Sequence, residues 1–331
     1  MIFMKRFWSV VFLFVVCLVD SHSQSTARQD SLIYLGRVWR EARNYNMAID
    51  QFLRAGGDEA EYEIALTHYN MGKVSTALSE SKAIVERDNA FSLDANLLIG
   101  LCRERQGFER AAKRIYKKLA EKGSAMAAYY YASMMQRKGH LDEAEKMCQR
   151  SILIDNGIPE AHYLLSVIEV QKSERYKAMM SLYFYLLINN DENNQRMAYS
   201  NLIRLWRRSA KALEIIKTDK KSDKMTAAIE KHIDGLATSD SISNLEGREQ
   251  IEALIKDTDS LMRFLLSSTE DNLDFWQIAY ADFFVKMVPR NFIKPYVYYI
   301  SDASHHAEVL DYVAQDEYLF NEFRLWMEAQ E

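Results

Sequence analysis

Side chains able to do chemistry are sparse in this 331-residue chain, and few stand in a working arrangement. A histidine cluster sits at His305-His306, flanked by Asp302 and Glu308. Adjacent residues of a helix project about 100° apart, so the pair cannot close on one ion. It reads as a polar helix start, capped by Ser301 or Ser304. Acid pairs such as Glu270-Asp271 have the type needed for general acid/base work. Lying just before Asp274-Phe275-Trp276, they read better as negative charge at a helix N-terminus. Cys102 and Cys148 fall on different helices at positions that favour small buried residues, and two buried free thiols are expected there rather than a disulfide. The sequence holds no Gly-rich phosphate loop, G-x-S-x-G elbow, HExxH, CxxC or EF-hand loop. Catalytic residues, metal sites and cofactor sites are therefore not expected.

The elements around these residues are helices. The composition is 48% hydrophobic and 27% charged, with only 11 Gly and 3 Pro. So few breakers favour long helices on short links over turn-rich β-structure. Net charge is −5 and unevenly placed: Asp240 to Glu331 holds 18 acidic and 7 basic residues, leaving 29 acidic and 35 basic elsewhere. The densest basic stretch, Arg207 to Lys231, alternates with Glu214, Asp219, Asp223 and Glu230 and reads as a solvated helix face. Nucleic acid is not an expected partner.

The first residues read as an export signal. Lys5 and Arg6 precede a 13-residue apolar run, Phe7 to Val19, too short to span a bilayer as a helix. Ser21 and Ser23 supply a small-x-small site, which predicts cleavage before Gln24. Val15 and Val16 ahead of Cys17 do not make a lipid-attachment signal. No later segment approaches the ~20 apolar residues of a membrane helix. The chain has no Asn-x-Ser/Thr sequon, which favours bacterial export: a Gram-negative periplasm or its outer-membrane face, with an envelope complex as a surrounding.

Six alanines set a repeat: Ala48, Ala77, Ala112, Ala144, Ala178 and Ala212. Twelve residues before each lies a small side chain: Gly36, Ala65, Gly100, Ala132, Ser166 and Ser200. One residue earlier is a larger apolar one, Leu35, Ile64, Ile99, Tyr131, Leu165 and Tyr199. Gly72, Gly107 and Gly139, five residues before their alanines, mark a turn, with Ser173 in the fifth copy. Over roughly Gln29 to Lys221 this resembles the tetratricopeptide repeat family, whose copies read L-G, then A-x3-F, then A. Leu35-Gly36, Ala48, Phe52 and Ala55 carry it in the first copy. The resemblance implies an all-α, right-handed α-solenoid of about six helical hairpins over 24–221, after a signal peptide 1–23. Small residues belong where the two helices of a hairpin approach most closely. In 222–331 the repeat fades but helical periodicity persists, with aromatic stripes such as Trp276, Tyr280, Phe283 and Phe284. That region is expected to be a helical C-terminal cap on the open end of the stack.

By the same resemblance, first-helix positions facing the concave groove are Arg37, Arg40, Tyr62, Tyr69, Arg105, Tyr129, Arg137 and Tyr163. Ile33 and Arg37 stand where chaperone-tail binders of the family carry Lys and Asn. Tyr and Arg dominate binding hot spots. The implied function is a protein-protein interaction scaffold or adaptor of the cell envelope that holds a peptide or helix segment of a partner, with the arginines favouring an acidic one. The alternative is a hydrolase whose acidic, aromatic C-terminal region is catalytic and whose repeats recruit substrate.

Overall fold

The computed structural model describes residues 27–207, 224–237, 245–267 and 274–329. The expected export segment, Ala212, most of the basic stretch and Glu270-Asp271 lie outside the described residues. Among the described residues there is no strand, and no helix is long and apolar enough to cross a membrane.

Five hairpins alternate along the chain. They are α1 (27–41) with α2 (Tyr45–Ala55), α3 (Gly57–Asn70) with α4 (Val74–Glu86), and α5 (Ser92–Arg105) with α6 (Glu109–Glu121). Then come α7 (Ala125–Arg137) with α8 (Leu141–Ile154) and α9 (Pro159–Gln171) with α10 (Arg175–Ile188). α11 (Glu192–Arg207) follows. The chain divides into two compact units, one ending at Lys122 and one starting at Gly123.

The turn inside each hairpin is the same device five times. Five residues before the alanine, Arg43, Gly72, Gly107, Gly139 and Ser173 all take positive φ, between 59° and 82°. The next amide closes the first helix by a long backbone bond: Asn44 to Trp39, Lys73 to His68, Phe108 to Arg103, His140 to Met135 and Glu174 to Glu169, at 2.8–3.0 Å. This is the Schellman closure, and glycine suits it because it lacks the Cβ that left-handed backbone crowds. Arg43 and Ser173 hold the same conformation at a steric cost.

The small residue twelve positions earlier has a defined partner. A Cβ on Gly100 would sit 2.5 Å from the Tyr116 ring, and one on Gly36 would overlap the Phe52 ring. Phe52 and Tyr116 are the residues four after the alanine. Where that position is Ser81 or Cys148, the small residue is Ala65 or Ala132. Ring and glycine thus compensate in volume. Ala48, Ala77, Ala112, Ala144 and Ala178 are all fully buried.

The sixth copy departs from its alignment. α7 buries Ala127, Ala128, Tyr131, Ala132, Met134 and Met135, and α9 repeats that stripe 34 residues on. In α11 the stripe is Ala198, Tyr199, Leu202, Ile203, Leu205 and Trp206, which is 37 residues beyond α9's. Ser200 is exposed, and Ile203 takes the place of the small residue. The periodicity of burial, not the serine, sets the register.

In the second unit α10 is apolar around its whole circumference, RYKAMMSLYFYLLI, and twelve of its residues are buried. C-terminal helices α12 (Lys224–Ala237), α14 (275–285, with a π-turn at Gln277–Ala281) and α15 (Ile293–Ser301) pack on it, and α13 (Gly247–Ser267) reaches it through Thr258. α16 (His306–Gln315) and α17 (Glu317–Glu328) complete the region. The expected cap therefore encloses the flank of the fifth hairpin as well as meeting α11. Tyr183 is its hub. Its hydroxyl shares a 2.7 Å bond with Thr258 Oγ1 and accepts from Trp206 Nε1 at 3.0 Å, while Tyr296 donates to its carbonyl at 2.9 Å. Arg175, buried at the start of α10, pairs with Glu230 at 2.9 Å and with Asp234, fixing α12.

Candidate partner-binding surfaces

In the first unit the expected groove residues are held by the chain's own groups. Arg37 pairs with Glu59 at 2.7 Å and Glu63 at 2.6 Å, and Arg40 also pairs with Glu63. Glu63 is only 3% exposed, so these two arginines neutralise a buried carboxylate and tie α1 to α3. Arg105 donates to the Tyr69 carbonyl at 2.9 Å and lies 5.0 Å over its ring, covering the C-terminal end of α3. Tyr62 stacks on Phe91 at 5.9 Å. Tyr62 and Tyr69 are half-buried and form one edge of the core that holds Leu98 and Cys102.

In the second unit two expected residues come together. Tyr129 of α7 and Tyr163 of α9 line a cleft of about 250 Å³ with Leu164, Val167, Tyr185 and Met197. Both tyrosines are half-buried. Tyr163 leans on Tyr185, 5.2 Å between ring centres, and its hydroxyl lies 3.5 Å from Asn201 Nδ2. Pro159 opens α9 without a free N–H, and Glu160 in its first turn is exposed at the cleft, as is Asn194, while Asn189 is buried there. Burial first, then the Glu160 carboxylate, push the Tyr129 hydroxyl up. Burial, Tyr163, Glu160 and Asp191 push Tyr185 up to about 12. The cleft is largely apolar, with the Glu160 carboxylate and the Arg137 guanidinium both acting on the Tyr129 hydroxyl. Arg137 is exposed and donates to Ser133 Oγ at 2.7 Å, within α7.

Sequence reasoning missed Tyr185, Met197 and Glu160. Tyr185 lies on a second helix, and α10's uninterrupted apolar character hides which of its aromatics reaches a surface.

The remaining candidates are placed structurally. His306 bonds Asp302 at 2.8 Å and His305 bonds Gln250 at 3.1 Å, so the two rings turn to different partners. The expected serine cap is not made: Ser301 donates back to the Val297 carbonyl at 2.7 Å, and His305 holds the cap position. Asp274 does cap its helix, accepting from Gln277 N at 2.9 Å. Cys102 and Cys148 are buried free thiols, with Cys148 donating to the Ala161 carbonyl at 3.0 Å.

Two buried titratable groups sit on α9. His162 Nε2 lies 2.9 Å from the Asn156 carbonyl, so it must donate there. Nδ1 then accepts from the Tyr280 hydroxyl at 2.8 Å, locking α14 to the fifth hairpin with a neutral imidazole. Burial lowers His162 to about 4. Glu169 is fully buried, and among the described residues neither carboxylate oxygen has a hydrogen-bond partner. Burial first, then Glu145, push it up to about 8, so it is held neutral.

No family model matches the chain, and no curated protein matches it. In structure it is similar to TTC0263, a thermophilic TPR protein in Thermus thermophilus, at 20% identity and a TM-score of 0.45, over 53% of this chain and 99% of that one. The C-terminal part of a TPR repeat-containing protein from Cytophaga hutchinsonii aligns at 15% identity and a TM-score of 0.40, over 77% of this chain and 93% of that one. YrrB, a TPR protein with an unusual peptide-binding site, aligns at 16% identity and a TM-score of 0.32, over 52% and 92%.

Proposed function

We propose that this chain, a tetratricopeptide-repeat protein built from five matched hairpins, is a protein-binding module whose second unit holds a partner segment in the cleft between α7 and α9. The observation that carries the reading is the convergence of Tyr129 and Tyr163 on one apolar cleft. Tyrosine rings supply large contact area with few rotors to freeze, which suits an anchor site. Arg37 and Arg105 are occupied within the chain, which leaves Glu160 and Arg137, both acting on the Tyr129 hydroxyl, as the charges near the cleft. The occupant that fits is an extended or helical segment presenting an apolar side chain to the cleft. Tyr62 and Tyr69 offer a second half-buried aromatic surface in the first unit.

The N-terminal segment supports a proposed site of action in the envelope. The protein is exported, processed before Gln24 and active in a Gram-negative envelope, with no lipid on Cys17. Intact mass of the protein recovered from the envelope fraction tests this. A chain beginning at Cys17 with an acyl mass overturns it.

The binding reading is tested by photo-crosslinking from a benzophenone amino acid at position 167, at the cleft, and at position 117, on the outer face of α6. A discrete adduct from 167, absent from 117 and lost in Tyr129→Ala/Tyr163→Ala, is the expected result. Equal adducts from both positions overturn it.

A further inference from the structure

The first helix presents an apolar face that later copies bury. Two and one residues before Gly36 stand Tyr34 and Leu35, and two and three after it stand Val38 and Trp39. All four are exposed, at 66%, 44%, 40% and 36%. The same register in the third copy holds Leu98, Ile99 and Cys102, and in the fifth Leu164, Leu165 and Ile168; none of these is exposed. The reason is stacking: α4 packs on α5, and α8 packs on α9. Among the described residues no helix precedes α1. Terminal copies of a repeat stack ordinarily turn a polar face outward. Here the first described helix keeps the residues of an internal one, and a contiguous apolar face of this kind marks an interaction site.

We propose that this face pairs with the same face of a second copy of the chain, α1 against α1 about a two-fold axis. Charge argues for that occupant. An antiparallel pairing centred between Tyr34 and Leu35 sets Tyr34 against the partner's Leu35. It also sets Arg28 opposite the partner's Glu41, and the axis repeats the pair. Arg28 and Glu41 are both exposed. The other cations of the helix, Arg37 and Arg40, are already neutralised by Glu59 and Glu63, so they do not set like charges against each other across the axis. A two-fold contact is self-complementary and closes, giving a dimer rather than a fibre. One 15-residue helix per side is a small interface, so the association is weak and concentration-dependent.

Sedimentation velocity from about 1 to about 100 µM, on the protein as recovered from cells with its intact mass measured, tests the proposal. The wild-type chain is expected to pass from monomer to dimer across that range. Val38→Glu, at an exposed position, is expected to stay monomeric with an unchanged melting curve. Arg28→Glu is expected to weaken the dimer at least tenfold, and Arg28→Glu/Glu41→Arg to restore it. A wild-type monomer throughout overturns the proposal, as does a Val38→Glu dimer or a charge swap without rescue. If the measured mass retains residues 1–26 and only their removal allows dimers, the face is covered by the chain's own leading segment and the second copy is not its occupant.

Discussion

Replacing Glu169 by Met should stabilise the protein, and by an amount set by pH. Glu169 is fully buried with unpartnered oxygens, whereas the same register position in the fourth copy is Met135, also buried. An unfolded glutamate titrates near 4.5, and burial holds the folded one near 8. The folded state must therefore take up a proton that the unfolded state has lost, at about 1.4 kcal/mol per pH unit. The cost is absent below the unfolded value, grows as pH rises, and levels off above about 8. At pH 7 it comes to about 3 kcal/mol, as an upper figure. Met fills a similar volume without that cost. Urea unfolding followed by fluorescence of Trp206 and Trp276 at pH 5, 7 and 8 reads the difference between variant and wild type. It should be below about 1 kcal/mol at pH 5, near 3 at pH 7 and larger at pH 8. A gain independent of pH refutes the reasoning. So does a loss at pH 8, which would mean that Lys172 or Lys177 pairs with an ionised Glu169.

Other perturbations probe the remaining contacts. Tyr280→Phe leaves His162 Nδ1 buried without a donor and should cost about 1–3 kcal/mol by chemical denaturation. His162, lowered to about 4 by burial, makes wild-type stability fall as pH drops from about 6.5 towards 4, and Tyr280→Phe should ease that slope by letting the imidazole take a proton sooner. Gly100→Ala forces a Cβ into the Tyr116 ring and should lose about 1–3 kcal/mol, whereas no loss would show that the ring is free to move. Cys102, pushed up to about 11 by burial, and Cys148, pushed higher still, should not react with a thiol-exchange reagent until the protein unfolds.

The repeat was legible because its signal is steric and local. The five described alanines mark fully buried helix crossings, and the glycines mark left-handed turn positions that a side chain resists. Arg43 occupies that same backbone conformation with no compositional sign, so glycine alone under-reports the turn. Ser200 misled for the opposite reason: a small residue at the right spacing need not be buried, and only the stripe Ala198, Leu202 and Trp206 reveals α11's true face. The relation of α10 to the C-terminal helices had a signal in its uninterrupted apolar sequence, but which helices would enclose it depends on long-range contacts such as Tyr183 with Thr258. Among the groove residues, Tyr129 and Tyr163 share a cleft because their register is shared. Arg37 and Arg105 could not be read as occupied, since their partners Glu63 and Tyr69 lie a full repeat away.

A partner protein bound in the cleft anchored by Tyr129 and Tyr163 must lose affinity when both rings are removed. The most direct test is calorimetric titration of the crosslinked partner's segment, once sequenced, into wild-type protein and into Tyr129→Ala/Tyr163→Ala with its fold verified by circular dichroism. An affinity loss of at least ~2 kcal/mol, about thirtyfold, is expected in the double variant. Wild-type affinity in that folded variant would contradict it.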